Sequence, residues 1–313
     1  MNRNQAAPVF SVVGRRTRRI EIAVALLVLL VGCAGFSIVQ YRRATAARLR
    51  EAGAVAALRS LGGEIVNRLI ELVPLGSLVP GSGAAPFRLA IKLRAPGVTD
   101  DHLAVLDDLA ADRVSELDFL NCAAGDATLA RAGRFRGLTL LALGQARNSK
   151  DEPWPTGPTG LLTEAGFVHL DRLPDLEIVG LHGPDVTDRA LAHLRGARNL
   201  RILILYGSRV TGAGLAALGP KPELSTLKLG GTRFGDDDLP ALAQFSSLET
   251  LDLRETAVTD AGLRWLKSLP RLKRLSLEGC AVSDAAVGAL IQARPGLAVG
   301  HAESLPSPRG ADR

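Results

Sequence analysis

Leucines at positions 176, 200, 224, 248 and 272 stand 24 residues apart, and each opens a segment reading L-x-x-ϕ-x-ϕ, where ϕ is apolar. Leu248, Leu251 and Leu253 lead to Val258-Thr259-Asp260-Ala261-Gly262-Leu263 and then Leu266. The segments Leu200 to Leu218 and Leu272 to Leu290 follow the same template. Earlier copies start at Leu138 (with Leu141 and Leu143) and at Val114 (with Leu117 and Phe119). The first holds Ile91, Leu93 and Val98-Thr99-Asp100-Asp101-His102-Leu103. Eight repeats thus run over about 88–295, and Leu297-Ala298-Val299 has the form of a truncated closing strand. A unit this short cannot bury its own leucines. Stacked units share one core, so the period confines the chain to a repeating array.

Each unit divides into two halves. Alternating apolar residues point one way and predict a strand buried on one face. Gly183, Gly207, Gly231 and Gly279 recur just after it, where a sharp turn calls for positive φ. Thr187-Asp188, Thr259-Asp260 and Ser283-Asp284 then open a helix, the hydroxyl capping free N–H groups and the acid lying at the positive end of the dipole. Leu215/Leu218 and Leu263/Leu266 form its inward face. The predicted fold class is α/β, a solenoid of about eight 24-residue strand–helix repeats.

These motifs resemble the leucine-rich repeats, whose signature is L-x-x-L-x-L-x-x-N/C-x-L. Here the N/C site is filled by Cys122, Pro184, Ser208, Thr232, Thr256 and Cys280, and Val-Thr-Asp-Ala-Gly-Leu at 258–263 is the strongest match. The cysteine-containing subtype, found also in F-box substrate adaptors, is the nearest flavour. The whole layout also resembles a group of bacterial membrane-anchored leucine-rich-repeat proteins. The resemblance implies a curved solenoid that binds other proteins, with no cofactor. Cys122 and Cys280 lie six units apart, about 29 Å at the strand spacing, too far for a disulfide. Two buried, unreactive thiols are expected.

In such a solenoid the residues between the core leucines line the concave face. They include Leu120, Leu140, Ile178, His182, Ile202, Ile204, Tyr206, Lys228, Asp252 and Arg254. An apolar patch with a charged flank has the character of a protein interface. An insertion at 145–160 leaves the strand end of the third repeat and carries Trp154 between two prolines. Two readings stay open: the patch and Trp154 bind a partner, or the insertion covers the isoleucines within the molecule.

The formal charge of +6 belongs to the N-terminus: residues 1–62 hold ten arginines and two glutamates, the other 251 residues 28 basic and 30 acidic groups. A body so close to neutral argues against nucleic acid as a partner. A basic tail (1–19) precedes an uncharged run, Ile22–Tyr41, in which the eighteen residues of Ile22–Val39 cover about 27 Å as a helix, close to a bilayer core. Arginines clamp both ends, which favours one transmembrane helix over 20–41 rather than a core helix. Leu30-Val31-Gly32-Cys33 resembles a lipobox and Ala44-Thr45-Ala46 a cleavage site, but the apolar run passes Cys33 and the small residues lie late. A retained anchor, with the solenoid outside the cytoplasm, is the expectation. Residues 42–87 read as a juxtamembrane helix ended by Gly62-Gly63 and a cap or linker, 88–300 as the solenoid, and 301–313 as a disordered tail.

Catalytic signatures are weak. Gly212-Ala213-Gly214-Leu215-Ala216-Ala217 satisfies G-x-G-x-x-A, but it is in register with the helix starts of the other repeats. His102, His169, His182, His193 and His301 show no metal spacing. Asp236-Asp237-Asp238 occupies a helix start, where capping accounts for it. The reading is a membrane-anchored, non-enzymatic protein-binding module of open oligomeric state. The alternative is an adaptor recruiting substrates to a degradation or modification complex, against which stands the lack of an F-box-like module before the repeats.

Overall fold

The computed structural model describes residues 42–69, 87–146, 159 and 161–301. The chain divides into two compact units, Met1–Ala52 and Gly53–Arg313. Among the described residues no helix is long and apolar enough to cross a membrane. The expected span 20–41, the basic tail, the segment 147–158 with Trp154 and the tail after His301 lie outside them. Helix α1 covers 42–60, and its residues 42–50 are exposed.

The second unit is built on one ten-stranded sheet whose strands follow one another in chain order. They are β1 (Glu64–Leu69), β2 (Phe87–Lys92), β3 (Val114–Asp118), β4 (Leu140–Gly144), β5 (Ile178–His182), β6 (Ile202–Ile204), β7 (Thr226–Lys228), β8 (Thr250–Asp252), β9 (Arg274–Ser276) and β10 (Ala298–Gly300). From β2 to β10 all pair in parallel, and from β6 onward the register advances by 24: Ile202↔Thr226, Thr226↔Thr250, Thr250↔Arg274, Arg274↔Ala298. The eight repeats and the closing strand stand as the sequence predicts. β1 is an addition: read from the sequence as part of a cap or linker, it pairs antiparallel with β2, Glu64 facing Lys92.

Strands β2 to β9 each feed a short helical segment on the other side. These are α2 (Asp126–Ala132), α3 (Glu164–Phe167), α4 (Asp188–Ala192), α5 (Gly212–Leu218), α6 (Leu263–Leu266) and α7 (Asp284–Ala293), with 3₁₀ turns at His102–Asp108, Val168–Arg172 and Leu239–Gln244. Strands stack about 4.8 Å apart while packed helices need about 8–10 Å, so the sheet forms the inner wall. Between the layers Leu176, Leu200, Leu224 and Leu248 are fully buried, as are Leu203, Leu227 and Leu251 one turn of the motif later. The turn after the strand is left-handed as expected, with φ of 92° at Gly183, 63° at Gly207 and 77° at Gly279; Asn121 (63°) and Glu255 (53°) take the same place without being glycine.

The helix starts need a correction. Thr163, Thr211 and Ser283 do cap their own helices, but Thr187 makes no such bond. The aspartates do more than answer a dipole. Asp188 accepts the Thr211 N–H and hydroxyl at 2.7 Å each, in the next repeat. Asp236 does the same for Thr259 (2.9 and 2.5 Å), and Asp260 for Ser283 (2.7 Å each). Asp126 does it for Thr163 across the insertion. The glycine of the motif makes room: a Cβ on Gly214 would collide with the Asp188 carboxylate and lie 2.9 Å from its Cα, and Gly166 and Gly262 stand likewise against Asp126 and Asp236. Where the fifth repeat has Gly212 instead of aspartate, the acid moves to Asp238 of the sixth, which accepts the Gly212 N–H at 2.7 Å. Between repeats three and four this link is absent among the described residues. Glu164 there pairs with Arg189, and Thr159 donates instead to Asp185.

Candidate functional site on the inner sheet face

Parallel pairing sets the outward side chains of the strands in rows. Leu140, Ile178 and Ile202 face one another in register, followed by Thr226, Thr250 and Arg274. The next row runs Asp118, Ala142, Gly180, Ile204, Lys228, Asp252, Ser276. Leu140, Ile178, Ile202 and Ile204 are each half-exposed, and Leu120 beside them is too. The sequence-predicted apolar patch is therefore contiguous and lies on the sheet.

Its charged flank is more organised than spacing alone indicates. Asp252 is 5% exposed and held by two residues. The Tyr206 hydroxyl donates to its Oδ2 at 2.7 Å, and Arg254 donates from Nη2 to Oδ2 at 2.7 Å and from Nε to Oδ1 at 2.9 Å. Burial pushes the Asp252 carboxyl up, but the bonds from Arg254 and Tyr206 outweigh it and hold it below the usual value. The same burial, with the Asp252 charge beside it, raises the Tyr206 phenol, so it stays a donor. The Lys228 ammonium and the Arg254 guanidinium each stand 5.9 Å from the centre of the Tyr206 ring. Gly230 gives the ring its place, since a Cβ there would stand 3.1 Å from Cε1. At the other flank Arg94 pairs with Asp118 at 2.6 Å; the alternation places both on the concave face but does not reveal their pairing.

His182 belongs to the row of Tyr206 but does not face solvent. It is 6% exposed, packs edge-on against the Tyr206 ring (centroids 5.6 Å apart), and neither ring nitrogen has a hydrogen-bond partner among the described residues. Burial lowers its pKa to about 4. His182 and Asp252 thus act on the face through their neighbours. A cleft of about 10 Å³ beside Cys122, His182 and Asp185 has room for at most about one water. Cys122 and Cys280 are free and buried, and donate to the carbonyls of Leu93 (3.3 Å) and Leu253 (2.9 Å). Burial raises the Cys122 thiol pKa, which keeps it protonated.

Residues 246–266 match the family model described as leucine rich repeat. That segment is similar to a leucine rich repeat. The match spans the seventh unit and does not single out the cysteine-containing subtype. No curated protein matches. Two solved structures similar to this chain are internalin C2 of Listeria monocytogenes, at 21% identity and a TM-score of 0.45, covering 68% of this chain and 80% of that one, and internalin InlF of the same organism, at 14% and 0.42, covering 68% and 59%.

Proposed function

We propose that this leucine-rich-repeat chain is a membrane-anchored interaction module that takes a protein partner on the inner sheet face and catalyses nothing. The observation that carries it is the contiguous half-exposed row Leu140, Ile178, Ile202 with Ile204, bordered by the braced Tyr206–Asp252–Arg254 cluster and Lys228. Aliphatic surface beside prepositioned polar groups is how protein interfaces combine affinity with register. The anchor is the uncharged run within 20–41, which puts the solenoid outside the cytoplasm. Cys122 and Cys280, at one loop position six repeats apart, support the cysteine-containing subtype.

Ile204→Asp in the full chain should abolish partner capture in membranes and leave the unfolding free energy from urea titration within about 0.5 kcal/mol of wild type, as surface changes do. Should it unfold the chain as Leu203→Ala does, Ile204 is core and the reading fails. Protease added to intact spheroplasts is expected to remove a C-terminal tag. Protection until lysis would place the repeats in the cytoplasm and bring forward the adaptor alternative.

A further inference from the structure

We propose that the partner segment seated on this face is acidic, setting aliphatic side chains on Ile202 and Ile204 and a carboxylate against Lys228. This rests on the inner face being the binding surface and adds what it selects. Two of the acids on the face are already committed. Asp118 is paired with Arg94 at 2.6 Å and Asp252 with Arg254 at 2.7 Å, both carboxylates almost fully buried. Glu116 is buried in the sheet, and Glu278 belongs to the last repeat, beyond Arg274. Lys92 and Lys228, on the same face, have no carboxylate within ion-pair distance among the described residues. The charge left for a partner at the centre is therefore cationic.

Placement makes that charge decisive. Lys228 is the register neighbour of Ile204, and the Tyr206 ring beneath its ammonium is shared with Arg254. Whatever covers Ile204 also takes Lys228 out of water. A buried ammonium without a counter-charge is costly, whereas one that meets a carboxylate is compensated. An apolar or basic partner would bear that cost and an acidic one would not. A nucleic-acid backbone fits less well, because the cation stands between an isoleucine and the Asp252 carboxylate rather than in a line of cations.

The test uses the full chain in detergent micelles and a random-peptide phage library, with Ile204→Asp as the control surface. Peptides that bind in an Ile204-dependent way should carry Asp or Glu close to Leu, Ile or Val. Lys228→Glu should weaken them about tenfold, and replacing their acid by lysine should restore binding to Lys228→Glu. Lys228→Gln, a neutral change at a half-exposed position, should give an intermediate loss and guards against misfolding of the reversal. Ile204-dependent peptides that lack acids and ignore Lys228→Glu would overturn the inference while leaving the binding face standing. Peptides indifferent to Ile204→Asp, or no enrichment at all, would overturn both. Displacement of the peptides by single-stranded oligonucleotide would reject a protein segment as the ligand.

Discussion

Burial holds the His182 imidazole neutral, with its pKa near 4 against about 6.5 in an unfolded chain. Between those values the unfolded state binds a proton that the folded state refuses, so stability falls as pH drops through that window, by up to ~3 kcal/mol. Asp118 offsets part of this, and Arg94 and Lys228 add to it. Urea midpoints at pH 7 and near pH 4.5 should therefore diverge in the wild type and converge in His182→Leu. Glu255 holds the left-handed turn at φ 53°, where a side chain is disfavoured by about 1–2 kcal/mol. Glu255→Gly should raise the unfolding free energy by about 1 kcal/mol, and a fall would mean that its side-chain contacts outweigh the strain. The recurrent glycines made this turn readable from the sequence, yet Asn121 and Glu255 show that the backbone path is kept even where the residue is unsuited to it. The burial of His182 was not readable, because it depends on Tyr206 and other residues distant along the chain.

Among the elements, the links between successive helix starts carry the stacking on the outer side. Gly214→Ala drives a methyl against the Asp188 carboxylate and should cost about 1–3 kcal/mol. The same change in an Asp188→Ala background should cost less, since the carboxylate is gone while the Cα at 2.9 Å remains, and equal costs in both backgrounds would show that the carboxylate contributes nothing to the clash. Strands, turns and helices were legible because each is set by residues within one unit. The aspartate's true partner was not. It lies one repeat away, so the motif reads as a helix cap until two units are set side by side. β1 escaped for another reason: Glu64-Ile65-Val66-Asn67-Arg68-Leu69 lies outside the 24-residue period, and nothing inside it announces a partner running the opposite way.

For the solenoid unit, stability depends on closing the end of the core as well as on stacking. Ala54 and Leu58, late in α1, are buried within the hydrophobic core that runs through the repeats. Leu58→Ala should cost about 2–4 kcal/mol, seen as a lower midpoint on calorimetry, as large as for a leucine in the central repeats. An effect under ~0.5 kcal/mol would show that this helix is no part of the core. Fold class and the location of the apolar patch were visible in the period, whereas the bracing of Asp252 appears only once strands of different repeats lie adjacent. The same adjacency means the units are not interchangeable parts. Losing repeats five and six together would bring Asp188 against Thr259 and Gly262, the pairing that Asp236 already makes. Losing the fifth alone would set Asp188 where Asp238 already stands, two carboxylates in one place with no hydroxyl to answer them. A chain shortened by that pair should therefore keep its stacking, and one that lacks the fifth repeat alone should lose it at this junction.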